Sequence, residues 1–116
     1  MAGKVIAIKL GTTTVSVAVH HNNRIEVIAN DRGNRTTPAC VSFTDKSCLI
    51  GEDAVDQAAR NPENTIHGPK KLIGLTYEQL FAGSKRYPFT VLNEKDCPMI
   101  QVSCPFIFSG IDHYYY

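Results

Sequence analysis

No apolar run in this chain approaches the roughly 20 residues that a membrane-crossing helix needs, so a helical span is not expected. The opening lacks the pattern of a secretory signal: Lys4 precedes only Val5–Ile8 before Lys9 interrupts the apolar run. A cytoplasmic setting is the expectation. The chain also lacks a basic block. Its 12 Lys and Arg against 11 Asp and Glu leave a net charge of +1, which argues against nucleic-acid partners, because neutralising several phosphates takes clustered cations. The four cysteines, Cys40, Cys48, Cys97 and Cys104, form no C-x-x-C pair. His20 and His21 are adjacent and point to opposite sides of a strand. No metal-ligand spacing results, and reduced thiols are expected. There is no internal repeat.

What is present suits one small domain. The chain has 116 residues, 43% hydrophobic and 20% charged, enough apolar material for a core and too much for wholesale disorder. The stretch Val5–Val19 organises the rest. Val5-Ile6-Ala7-Ile8 reads as a buried strand. Val15, Val17 and Val19 alternate with Thr14, Ser16 and Ala18, as in a second strand. Between them lies Gly11-Thr12-Thr13-Thr14. Gly11 can take positive φ and admits close approach to the backbone. Successive N–H groups with three hydroxyls can make an anion-binding concavity. An ordinary hairpin with a polar turn fits the same residues, and both readings stand at this point.

Downstream, Arg24–Ala29 alternates after a His21-Asn22-Asn23 turn and completes an antiparallel meander. Residues 30–38 read as a polar loop. Cys40–Phe43 and Cys48–Ile50 read as short strands, and Glu52–Arg60 as a helix with Ala54, Val55, Ala58 and Ala59 on its apolar side. Its acids lie first and its base last, as the helix dipole favours. Pro69 opens a short helix that Gly74 stops, and residues 77–81 add a helical turn. Pro88–Leu92 and Met99–Ser103 read as a final hairpin across residues 93–96. The fold class is α+β: a meander, then short helices, then a further hairpin. Residues 104–116 are aromatic-rich and poor in charge, and exposed Phe106, Ile107 and Phe108 would invite self-association.

The segments IKLGTTT, VIANDRGNRTTP, FTDKSCLIGEDA and NPENTIHGPKKLIG, in this order and spacing, closely resemble the opening of Hsp70 chaperones. The resemblance runs from Val5 to Val102. It implies part of an actin-like ATPase fold, with residues 1–38 as strands of the first lobe, 39–103 as an outer subdomain and 104–116 as a divergent tail. By position, Gly11, Thr12, Thr13 and Thr14 fall on the family's phosphate-binding loop for ATP or ADP. Lys70 falls on its catalytic lysine, where an ammonium can stabilise charge on the transferring phosphoryl group. The loop Asn34-Arg35-Thr36-Thr37 is implied to support the site. The family's setting implies ATP binding, protein folding and the stress response.

The departures bear on activity. Lys9 stands where the family has an aspartate that helps organise hydrated Mg²⁺. A lysine offers no oxygen to that cation, yet it can attract phosphate as a point charge. Lys9 therefore counts as a nucleotide-binding candidate with Mg²⁺ placement impaired. His67-Gly68-Pro69 replaces the family's aromatic, acid and alanine. The second phosphate loop, adenosine-binding segments and client-peptide domain lie beyond residue 116. Nucleotide binding is expected to be weak and hydrolysis lost. Co-chaperones or nucleotide-exchange factors are the partners of a second reading, a non-catalytic interaction fragment. A decayed product without activity is the third.

Overall fold

The computed structural model describes residues 4–82 and 86–104, and the backbone of 114–115. Four strands form the first sheet. Strand β1 (Val5–Leu10) pairs antiparallel with β2 (Thr14–His21), with Ile6 opposite Val19 and Ile8 opposite Val17. Asn22 and Asn23 both take left-handed φ (50° and 57°), the two-residue turn whose twist matches a hairpin. It leads into β3 (Arg24–Val27), which pairs with the far side of β2. A short strand β4 (Thr37–Pro38) joins β2 beside it, opposite Thr14 and Val15. The loop read for residues 30–38 thus ends in two paired residues.

Strand β1 is not buried. Val5, Ile6 and Ile8 are 62%, 64% and 70% exposed, because among the described residues β1 has a neighbour on one side only. Gly11 N–H donates to Thr14 O at 2.9 Å, which sets the phase of the ladder. Val5, Ala7 and Lys9 face β2 with their peptide groups, while Ile6, Ile8 and Leu10 direct theirs to the open edge.

The second sheet is built on β5 (Cys40–Phe43), flanked by β6 (Cys48–Ile50) and β7 (Thr65–His67). Strand β7 was not legible as a strand in the sequence: it is three residues long and its partner lies more than twenty residues back. Helix α1 (Glu52–Gln57) covers this sheet with Ala54, which is fully buried, while Val55 is exposed. It is shorter than the span expected to Arg60, and no base lies in its last turn. The Ala58 and Arg60 amides bond three residues back, to Val55 O and Gln57 O, so the chain tightens out of the α-helix. Asn61 Nδ2 meanwhile donates to Phe43 O at 2.6 Å and holds the exit against β5. A 3₁₀ turn follows at Pro62–Asn64 and another at Pro69–Lys71, where a longer helix was expected.

Helix α2 (Tyr77–Phe81) carries a capping box: Thr76 accepts from the Gln79 amide, and Gln79 returns a bond to Thr76 N–H. The third sheet contains β8 (Thr90–Glu94) and β9 (Cys97–Val102), joined by Lys95 and Asp96 at φ 52° and 65°. The turn is two residues rather than the four read from the sequence. The backbone of β10 (Tyr114–Tyr115) pairs with β9 opposite Val102 and Gln101. Phe106, Ile107 and Phe108 lie outside the described residues.

The core sits between the second and third sheets. Ile66, Phe89 and Val102 are buried together, with Phe43, Leu72, Tyr87, Val91 and Ile100 packed on them. Among the described residues the buried polar pair Ser42 and Thr65 is satisfied: Thr65 Oγ1 donates to Asn61 O at 2.6 Å and meets Ser42 Oγ at 2.8 Å. A row of rings, Tyr77, Phe81, Tyr87 and Phe89, ties α2 to this core with centroid spacings of 4.9 to 6.1 Å.

Candidate functional site: the first hairpin turn and Lys70

The turn Gly11–Thr14 stands at the end of the first sheet. Gly11 is not in the left-handed region, contrary to the use of positive φ expected there. Its requirement is space: a Cβ at Gly11 would lie 2.6 Å from Thr14 O. Its N–H is committed to that same oxygen and is not offered to a ligand. Thr13 O accepts from Ala39 N–H at 2.8 Å, which pins the turn against the start of β5. Thr12 and Thr13 are exposed. Among the described residues no acceptor meets their N–H groups, so these amides and the threonine hydroxyls are the donors the turn presents.

Gly68 closes the site from the other side. Its N–H donates to Ala39 O at 2.8 Å, and its φ of 56° turns the chain sharply into Pro69–Lys71. A Cβ there would lie 2.8 Å from Thr12 O, so the backbones of residues 12 and 68 are close neighbours. The 3₁₀ turn then swings Lys70 back to the first hairpin. Its Nζ donates to Leu10 O at 2.9 Å across 60 residues of sequence. Leu10 is one of the residues whose peptide groups face the open edge, which leaves this carbonyl free for the ammonium.

The structure thus brings Lys70 to the residue that precedes Gly11. Lys9 lies one position further back on β1, opposite Ser16, and is exposed. Thr14 has already entered β2, paired with Pro38, so it belongs to the wall rather than the tip. A cleft of about 210 Å³ runs beneath the tip, with Thr12, Thr13, Cys40, His67, Gly68 and Lys71 in its lining. Cys40 Sγ lies 3.9 Å from His67 Nε2. Cys40 is buried, and that burial pushes its thiol up from the ordinary value, which disfavours the thiolate. A larger apolar hollow of about 550 Å³ lies behind Pro69, against Leu72, Leu80 and Ile100; no candidate residue lines it.

The donor set is cationic and amide-rich. Lysine ammonium groups, exposed N–H groups and hydroxyls suit an anion. Among the described residues no group of three His, Cys, Asp or Glu side chains gathers where a metal ion could be held. No acid stands among the lining residues to receive a divalent cation directly, so these residues fit a phosphate and do not fit Mg²⁺.

Sequence reasoning missed the network that holds the loop before β4. Asn30 Oδ1 accepts from the Arg32 and Asn34 amides at 3.0 and 2.9 Å. Its Nδ2 donates to Thr37 Oγ1 and to both Glu52 oxygens, at 3.0 to 3.1 Å. Asn34 Nδ2 reaches the same carboxylate, and Arg32 pairs with Asp53 and Asp56. The Glu52 carboxyl is held below its ordinary value by its own backbone N–H and then by Asn30. Of Asn34-Arg35-Thr36-Thr37, Asn34 and Thr37 join this network, with Asn30 as its hub and Glu52 as its anchor. The local turn is signalled by an asparagine followed by Asp31, Gly33 and Asn34, while the bonds to Glu52 have no local signal.

Comparison with known proteins places this geometry. A family model described as Hsp70 protein matches residues 5–106. The chain is 46% identical over 99 residues to a heat shock 70 kDa protein of Trichophyton rubrum, covering 84% of this chain and 15% of that protein. It is 48% identical over 101 residues to heat shock cognate 70 kDa protein 3 of Dictyostelium discoideum, with 84% and 16% covered. The putative heat shock 70 kDa protein 7 of Homo sapiens is 44% identical over 99 residues, with 84% and 27% covered. The chain therefore spans a small part of the length of these relatives. A match over most of the chain, on the same residues that shape the hairpin turn and bring Lys70 to it, shows that this chain belongs to the Hsp70 family.

Proposed function

We propose that this chain carries the phosphate-holding corner of an actin-like ATPase domain of the Hsp70 type, and that hydrolysis has been lost from it. Residues 1–38 supply the first-lobe strands and 39–103 the outer subdomain. The observation that supports this most is the reach of Lys70 to Leu10 O. It puts a fixed cation at the entrance to a turn with two uncommitted amides, Thr12 and Thr13. ATP or ADP would be held weakly by its phosphates, with Thr12 and Thr13 donating, Lys70 as the nearest fixed cation and Lys9 as a second point charge. Productive Mg²⁺ placement fails because Lys9 offers no oxygen ligand.

Calorimetric titration of the folded, monodisperse chain with ATP, with and without Mg²⁺, tests this reading. Saturable, metal-independent heat is expected, and Lys70→Ala should weaken it about tenfold, the value of one charge-assisted contact. No heat from a folded sample would sink the phosphate reading. A second reading, a non-catalytic fragment that competes for Hsp70 co-chaperones or nucleotide-exchange factors, is favoured by one observation. Among the described residues the buried core lies within residues 40–104, so an outer surface can be presented without the first sheet. Lys9→Asp in an otherwise complete domain should raise Mg²⁺-dependent turnover if the lost acid is the cause.

A further inference from the structure

Cys40 and His67 are a pair that the phosphate reading leaves unused. They bring a soft sulfur and an imidazole nitrogen together on two adjacent strands, and Cys40 stands directly opposite His67 in the β5–β7 register. One step along, Gly68 N–H donates to Ala39 O, while the Cys40 carbonyl turns to the other side of β5, where Gly51 N–H takes it. Cys40 and His67 are therefore a non-hydrogen-bonded pair, the kind in which facing side chains come closest. The ladder, rather than a loop, sets the 3.9 Å between Cys40 Sγ and His67 Nε2. Cys40 is buried and His67 is exposed. One donor is thus fixed in the floor of the cleft, and the other opens it to solvent.

We propose that Cys40 and His67 form a two-ligand site for Cu(I), held by the Cys40 thiolate and the neutral His67 Nε2. As the sulfur–copper bond forms, the thiol proton leaves to solvent and the copper keeps its oxidation state. Three observations select this ion. At the bond lengths that thiolate and imidazole make to a d¹⁰ ion, about 2.3 and 2.0 Å, donors 3.9 Å apart subtend about 130° at the ion. That angle is wider than tetrahedral and opens towards the arrangement of an ion held by two ligands. Among the described residues no group of three His, Cys, Asp or Glu gathers, so Zn²⁺ would lack half of its four ligands. No carboxylate lines the cleft, and Lys71 adds a positive charge to it. A monovalent ion and one thiolate cancel, whereas a divalent ion leaves a net positive charge beside that lysine. A thiolate, an imidazole and a single charge to neutralise suit Cu(I). The site uses neither Lys70 nor the threonines of the turn, so it does not rest on the phosphate reading.

Titration with Cu(I), supplied free of oxygen as its acetonitrile complex and read against a colorimetric chelator, is the test. The chain carries Cys48→Ser, Cys97→Ser and Cys104→Ala, so that Cys40 is its one thiol. It should retain one equivalent of Cu(I) against the chelator, and Cys40→Ala should abolish that retention. Loss of a partner one shell beyond a metal already costs about 10–100-fold. His67→Gln should therefore weaken binding by at least about tenfold while leaving the far-ultraviolet circular dichroism unchanged. Where the thiol-depleted chain fails to fold, the unmodified chain decides. Ag(I), a redox-silent substitute of the same charge, is added to protein labelled with ¹⁵N at histidine, and the ring nitrogens are followed by NMR. The His67 Nε2 signal should shift while those of His20 and His21 stay in place. A folded chain that retains no Cu(I), binding indifferent to His67→Gln, tighter binding of Zn²⁺ than of Cu(I), or a His67 signal unmoved by Ag(I) overturns the proposal. The ATP titration, run without copper, is independent of each outcome.

Discussion

Asn30 is half-buried and uses every polar atom of its side chain, its Oδ1 for the loop amides and its Nδ2 for Thr37 and Glu52. Replacing it with alanine leaves a carboxylate and two amides short of partners. Asn30→Ala should cost about 1–3 kcal/mol by urea unfolding. The same network carries a pH dependence. The folded-state pKa of Glu52 lies below its unfolded value. Its contribution is therefore complete above the unfolded value and is lost as pH falls through the folded one. Thermal stability should drop as pH falls from about 7 to about 3, and the drop should be smaller in Glu52→Gln. None of this was legible in the sequence beyond a polar loop. Glu52 lies 22 residues from Asn30, and side-chain bonds at that separation leave no local pattern.

At the scale of elements, local chemistry was legible wherever the element was held by its own residues. The strands Cys40–Phe43 and Cys48–Ile50 and the helical turn at residues 77–81 stand where composition and breakers put them. The elements that shifted are those decided by a distant partner: β7 by β5, the end of α1 by the Asn61–Phe43 bond, and the exposed state of β1 by its having one neighbour among the described residues. Two short elements can be tested by their ends. Thr76→Ala removes one half of the capping box and should cost about 1 kcal/mol in denaturant unfolding. Gly68→Ala meets both a left-handed φ and the Thr12 carbonyl. It should cost about 1–3 kcal/mol by the same measurement. It should also pull Lys70 away from Leu10, so any phosphate affinity falls with it. The candidate site was legible at Gly11–Thr14 and Lys70 through motif resemblance. Its use of Gly68 as the hinge, and the commitment of the Gly11 amide, depended on backbone proximity that no spacing encodes.

The whole molecule is unevenly packed. Its radius of gyration is 16.9 Å, against about 13 Å for a compact chain of this length, which means that one core does not hold all the sheets. Among the described residues every buried one lies between Cys40 and Cys104, and none in β1, β2 or β3. Substitutions should divide accordingly. Val102→Ala, in the core beside Ile66 and Phe89, should lower the unfolding free energy by about 2 kcal/mol. Ile25→Ala, at 78% exposure, should change it by less than about 0.5 kcal/mol. Urea titration followed by circular dichroism compares the two directly.

The four thiols are distributed so that they can time the opening of these parts. Cys48 and Cys97 are exposed, while Cys40 and Cys104 are 3% and 1% exposed. Cys40 is shielded at the joint between the first hairpin and β5. Cys104 is shielded at the far end of the core, where its sulfur reaches Thr44 O. An alkylating reagent should mark Cys48 and Cys97 at once and the other two only as each joint breathes. The lag at Cys40 would clock the release of the first sheet, and the lag at Cys104 the fraying of the third, in one unmodified chain.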